Sequence, residues 1–266
     1  MTSRRATTAR RVLVAVDASP FGLAGLEMAV HLAGAWDAEL LGLFVEDDRL
    51  MRLAGLPFAR EIAFSTAASR PLGPSGMECM LRAKAERVRQ TLAESAGRAG
   101  MSWSLQVARG DLVPLTLAMT ARGDVVVLAK DCPAARPAPL PKRVRSLRMP
   151  AGIVVVWDGT RAAKRALETA VQVAAAYRDE VTAFVAAQTR AVKRLARSAQ
   201  RRLDDARLRA RVTELAAEAA AQLTRWARQH PLRLLLLGHP SPTFSDADIR
   251  LLVDELDCPV VLIQTP

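Results

Sequence analysis

The chain has 266 residues, half of them hydrophobic, enough to bury a large core as one domain or as two smaller ones. Its formal charge is +11, and it carries three cysteines and three histidines. Those counts, without a C-x-x-C or H-x-x-x-H spacing, argue against a disulfide framework, a zinc site or a histidine-rich metal centre, and no apolar run approaches the roughly 20 residues that cross a bilayer.

Arg4, Arg5, Arg10 and Arg11 precede the run Val12–Val16, which is too short for a signal-peptide core and ends at once in Asp17. It reads as a strand buried on both faces of a parallel sheet, in a cytoplasmic protein. Ser19 is placed to cap a helix that starts at Pro20 and carries Leu23, Leu26, Val30 and Ala33 on one stripe. Leu40–Val45 is the second strand. Glu78–Ala99 follows as an amphipathic helix, then strand Trp103–Ala108, helix Leu112–Ala121 and strand Val125–Ala129.

The pattern then starts again. Val12–Glu39 (VLVAVDASPFGLAGLEMAVHLAGAWDAE) lies ungapped on Ile153–Glu180 (IVVVWDGTRAAKRALETAVQVAAAYRDE) at an offset of 141. Asp17 falls on Asp158, Leu26 on Leu167, Glu27 on Glu168 and Val30 on Val171. Later, Val125–Asp131 falls on Leu234–Pro240 at an offset of 109, so the first copy holds about 32 extra residues, assigned mostly to an insert at about 46–78. The second copy continues with strand Val181–Ala186, a basic helix near Ala191–Asp205 and a short strand at Leu208–Val212. Helix Glu214–Gln229, strand Leu232–Leu237, helix Asp246–Leu256 and strand Val260–Ile263 complete it. Alternating strands and helices predict an α/β fold, a doubly wound parallel sheet of Rossmann-like, adenine-nucleotide-binding type in two tandem copies, residues 1–150 and 151–266. Strand Ile153–Trp157 can be counted with either copy.

Ligands of open α/β sheets bind beyond the carboxyl ends of the strands. Asp17 and Asp158 fall there. Each can accept hydrogen bonds from a ribose or an adenine amino group, or can cap the helix that follows.

The run VLVAVDAS, with LAGLEMAVHLA and LLGLFVED, resembles the opening of the universal stress protein family, and VVVWDGT repeats it. The resemblance covers nearly the whole chain apart from the insert and the basic segment. It implies a non-catalytic stress-response protein that assembles into homodimers. It also implies ATP or another adenine nucleotide as ligand, its adenosine end held near Asp17 with Val45 and near Asp158 with Val185. ATP-binding members carry G-x-x-G and then G-[ST] after the fourth strand, a cradle of backbone N–H donors. Here Ala129 and Cys132 occupy the glycine positions of the first copy, and the loop CPAARPAPLPKR is rich in prolines, which lack N–H groups. Lys130, Lys142 and Arg143 remain as point charges. The second copy keeps Gly238, has Ser241 where the next glycine belongs, and offers Thr243 or Ser245 as a hydroxyl, Ser245 reading equally well as a helix cap. Weakened or lost ATP binding is the expectation.

Two alternatives stand beside it. One is an active ATP-binding enzyme or weak ATPase, against which the absence of a Walker loop counts. The other is an interaction module. Thr189–Val212 holds nine Arg or Lys, including Arg194, Arg197, Arg201 and Arg202, against Asp204 and Asp205. Such a segment is either a solvated face or a dock for an anionic partner; without interleaved aromatics it is a poor nucleic-acid reader. Within the insert, Leu53, Leu56, Pro57, Phe58, Ile62 and Phe64 form an apolar set expected to pack as a lid on its own domain, with a subunit contact as the alternative.

Overall fold

The computed structural model describes residues 11–16, 20–62, 69–130, 152–186, 192–206, 210–215 and 218–265. Asp17, Ser19, Phe64, Cys132, Lys142 and Arg143 lie outside them. The first half contains β1 (Arg11–Val16), α1 (Pro20–Trp36), β2 (Glu39–Glu46), α2 (Asp48–Ala54), β3 (Arg60–Ile62) and β4 (Ser69–Pro71). α3 (Pro74–Ala99), β5 (Trp103–Arg109), α4 (Leu112–Ala118) and β6 (Val125–Ala129) follow. The second half contains β7 (Gly152–Trp157), α5 (Arg161–Tyr177), β8 (Val181–Ala186), α6 (Val192–Asp205), β9 (Ala210–Leu215), α7 (Ala219–Ala227), β10 (Leu232–His239), α8 (Asp246–Glu255) and β11 (Val260–Gln264).

Nine strands form one sheet in the order β5-β2-β1-β6-β11-β10-β7-β8-β9, and β3 and β4 make a separate hairpin. Every neighbouring pair within each half is parallel. The halves meet where β11 runs antiparallel beside β6, Val260 opposite Leu128 and Ile263 opposite Val125. β7 sits between β8 and β10 and pairs with neither β1 nor β6, which assigns Ile153–Trp157 to the second half. The place beside β6 where a fifth strand of the first half would lie is taken by β11.

Both faces of the sheet are covered. On one face α1, α3, α5 and α6 pack over residues such as Val14, Phe44, Val155 and Leu236. On the other, α4, α7 and α8 pack over Leu13, Leu128, Val156 and Leu235. This double coverage explains why the central strands read as unbroken apolar runs. Leu234–Leu237 are all essentially buried, and each such side chain gains about 1.5–3 kcal/mol over remaining in water. The cores run across the junction, and α1 touches α5 directly, with Trp36 Nε1 donating to Gln172 Oε1 at 3.1 Å.

Helix ends follow local chemistry. The Thr160 side chain accepts from Ala163 N at the start of α5, Pro20 and Pro74 open α1 and α3, and Gly100 ends α3 with φ +64°. Asp37 and Arg178, equivalent in the repeat, both take positive φ (52° and 59°) after α1 and α5. The two halves thus share a backbone conformation that side chains rarely adopt.

Three expectations need correction. Residues 214–215 belong to β9, and α7 starts only at Ala219, after Glu218 turns with φ +61°. The α4 helix stops at Ala118. The insert is partly ordered: Ala54 of α2 packs with Met77 and Leu81 of α3, yet Leu53 (52%), Leu56 (39%) and Phe58 (75%) stay exposed. Among the described side chains, the insert packs through Met51, Ala54 and Leu72 rather than through Leu53, Leu56 and Phe58.

Candidate functional site

An antiparallel join of two parallel half-sheets turns their carboxyl edges in opposite directions. Each half therefore has its own mouth, at opposite ends of the molecule. The helix before β11 must run back along the sheet, so the last turns of α8 arrive at the first half's mouth.

That mouth holds a cavity of about 470 Å³, formed by the ends of β2 and β6, the turn after β5, and α2, α3 and α8. Its apolar wall includes Phe44, Val45, Leu81, Leu112, Val113 and Val253. Its rim is charged. Asp47 caps α2 by accepting from Arg49 N at 2.8 Å and from Arg49 Nε at 3.1 Å. Burial pushes its carboxyl up, and the hydrogen bonds and charge of Arg49 outweigh this, leaving its pKa below the ordinary value. Arg49 also lies 3.6 Å from Asp111, which is paired with Arg250 of α8. Lys130 Nζ donates to Asp254 Oδ1 of α8 at 2.7 Å. Lys84 of α3 is half-buried on the same wall and, among the described residues, makes no ion pair.

The second mouth is finished differently. Asp158 Oδ1 accepts from Thr160 N at 2.9 Å and from Thr160 Oγ1 at 2.6 Å, and its Oδ2 accepts from Ser241 Oγ at 3.1 Å. Ser241 Oγ also accepts from Thr243 N. The carboxylate is occupied in fixing the start of α5. Leu195 of α6 lies over Gly159, where an added Cβ would come within 2.7 Å of Leu195 Cδ2. Val185 is fully buried in β8, and Trp157 is buried beneath the Arg202 guanidinium, 5.6 Å from the ring centroid.

Gly238 is a packing residue: a Cβ there would fall 2.4 Å from Ala163 N of α5. In the first half the matching strand position, Ala129 on β6, is approached one turn further along the helix, by Gly25 on α1, where a Cβ on Gly25 would lie 2.2 Å from Ala129 Cβ. Ala129 therefore need not mark a lost phosphate glycine; the strand keeps its methyl because the helix gives one up. Ser245 caps α8 in a reciprocal arrangement with Asp248, whose carboxylate accepts from Ser245 N (2.9 Å) and Oγ (2.7 Å). His239 is largely buried, its Nε2 3.5 Å from Asp246.

Of the residues singled out from sequence, the structure brings Asp158 and Ser241 into contact, places Val45 in the first cavity, and uses Gly238 and Ser245 in packing and capping. Arg194, Arg197 and Arg201 lie on the exposed side of α6, while Arg202 turns its guanidinium over Trp157. Sequence reasoning missed Lys84, Asp111, Arg250 and Asp254. The last two reach the cavity only because β11 stands in for the missing strand, a fact without a local signal. Among the described residues, no three His, Cys, Asp or Glu side chains gather to hold a metal ion, and no helix is long and apolar enough to cross a membrane.

No protein-family model matches the chain, and no curated protein matches it in sequence. Solved structures do. A universal stress protein from Archaeoglobus fulgidus superposes over 98% of both chains with a TM-score of 0.58 at 14% identity. The fold is that of a universal stress protein. A family member from Burkholderia pseudomallei (21% identity, TM-score 0.35) matches 45% of this chain and 98% of its own. One from Lactobacillus plantarum (22%, TM-score 0.34) matches 43% and 98%. The full-length likeness thus accounts for the mostly parallel sheet covered by helices on both faces.

Proposed function

We propose that this is a non-catalytic stress-response protein of two units, residues 1–150 and 151–266, in which only the first unit offers a working ligand site. The observation that carries the reading is the first cavity. It lies at the strand ends where such folds bind ligands, has an apolar wall beside a cationic rim, and falls within the roughly 300–1,000 Å³ typical of small-molecule sites. Its ligand is of the adenine-nucleotide class, bound more weakly than by a glycine cradle. The second mouth, with Asp158 engaged and Leu195 over Gly159, is structural. The protein works in the cytoplasm as a homodimer.

Calorimetric titration with ATP at low salt tests the reading. It predicts one ATP per chain, unaffected by Asp158→Asn, with no saturable phosphate release. Two equivalent sites, or ATP turnover, would sink it.

A second reading is favoured by one observation: Lys193, Arg194, Arg197 and Arg201 project from α6 into solvent and, among the described residues, none is in an ion pair. Lys193, Arg197 and Arg201 recur every four residues, so they share one helix face. We infer a docking face for an anionic protein partner. Steeply salt-dependent binding, lost in the triple variant Arg194→Glu, Arg197→Glu, Arg201→Glu, supports it; binding to the triple variant as to wild type removes it.

A further inference from the structure

The first cavity raises a question of charge. Four cations, Arg49, Lys84, Lys130 and Arg250, line it against three acids, Asp47, Asp111 and Asp254. Each acid is engaged by a cation: Asp47 by Arg49, Asp111 by Arg250 and Arg49, Asp254 by Lys130. Lys84 is left over. A half-buried ammonium whose neighbouring carboxylates are each engaged by another cation gives up hydration without an ion pair of its own, so its position suits an anion from outside.

Resting on the reading of this cavity as the ligand site, we propose that the ligand's phosphates are held by side chains, Lys84 of α3 with Lys130 and Arg250, and that Arg250 is contributed to the first unit's site by the second unit. The backbone alternative is poor. After Lys130 the sequence supplies Pro133, Pro137, Pro139 and Pro141 instead of glycines, and proline has no N–H to offer. The side chains are suited to the exchange. Asp254 and Asp111 are 38% and 44% exposed, so releasing their cations to a phosphate returns them to water at small cost. Arg250 supplies a planar fork that matches phosphate oxygens, and Lys84 and Lys130 act as point charges. The ligand then spans both halves at the β6/β11 junction, with its base against the β2 wall and its phosphates toward α8.

The experiment titrates adenosine, ATP and inorganic triphosphate into wild type, Lys84→Gln and Arg250→Gln. Wild type is expected to bind ATP more tightly than adenosine, by an increment that shrinks with salt. Each substitution should weaken ATP roughly tenfold to a hundredfold, the loss of one charge-assisted hydrogen bond, and leave adenosine unchanged. Triphosphate competing with ATP as strongly as ATP itself would keep the anchor but assign it to free polyphosphates instead of nucleotides. Equal affinity for adenosine and ATP, or both variants matching wild type for ATP, overturns the anchor while sparing the cavity. Failure of wild type to bind any of the three overturns the cavity reading and the anchor with it.

Discussion

The two halves share a strand order and even matching left-handed residues, Asp37 and Arg178, yet among the described residues the first mouth holds a cavity and the second has Leu195 packed over Gly159. The cause is the connection that follows the second strand of each half. From β8 to α6 only residues 187–191 are available, so α6 begins at the strand's end and lays Leu195 over Gly159. From β2 to α3 the chain runs through residues 47–73, and α3 begins far enough away to form one wall of a cavity. On the proposed reading, the insert is what leaves the first half room for a ligand. The junction adds a second difference, since β11 brings the later part of α8, with Arg250 and Asp254, to the first mouth.

The comparison can be broken at several points. The largest effect is expected at the buried ion pairs that hold the base of the fourth strand in each half. Asp179 and Arg233 are both buried and paired, with the guanidinium 4.6 Å from the Tyr177 ring centroid. Asp179→Ala leaves a buried charge and should cost about 3–5 kcal/mol in urea denaturation. Asp124→Ala should cost less, because Arg11 is 27% exposed and can turn to water. Equal costs would deny the asymmetry.

Next come the two packing glycines. Gly25→Ala and Gly238→Ala should each destabilise by about 1–3 kcal/mol through overpacking. Adding Ala129→Gly should restore much of the first loss, since the clash there is with a single methyl. The clash at Gly238 is with the α5 backbone, and trimming one side chain cannot relieve it. Failure of the Gly25→Ala, Ala129→Gly pair to recover would show that the halves do not solve the same packing problem.

A smaller effect separates capping from ligand binding. Ser245→Ala should cost about 1 kcal/mol of stability without changing ATP affinity; a loss of affinity would return Ser245 to the ligand. Smallest of all is a reactivity contrast. Burial pushes the Cys258 thiol up to about 12, so at pH 8 only about one molecule in ten thousand carries the thiolate. Peptide-resolved alkylation of the native protein should label exposed Cys79 and spare Cys258; rapid labelling of Cys258 would place an opening at the base of β10.

Much of the fold was legible because buried parallel strands have no polar face: Val12–Val16, Val125–Ala129 and Leu234–Leu237 could be read directly, and the offset of 141 exposed the repeat. Glu214 and Leu215 were misread because Glu-Leu-Ala-Ala-Glu fits a helix, and only pairing with β8 draws them into a strand. The site was less legible. Asp158 and Ser241 were found, but their mutual hydrogen bond speaks for structure. Lys84 is one charge among many on an amphipathic helix, and Arg250 is separated from Val45 by most of the chain. Their meeting depends on β11 replacing a strand, which no local pattern encodes.

The central claim is that ligand enters the first mouth and not the second. Hydrogen exchange with and without saturating ATP tests it most directly, because opening rates report where a ligand sits. The account predicts slowed exchange at residues 43–50, 80–88, 109–113 and 248–255, with residues 156–161 and 237–243 unchanged. Protection centred on 156–161 and 237–243, with the first mouth unaffected, would contradict it.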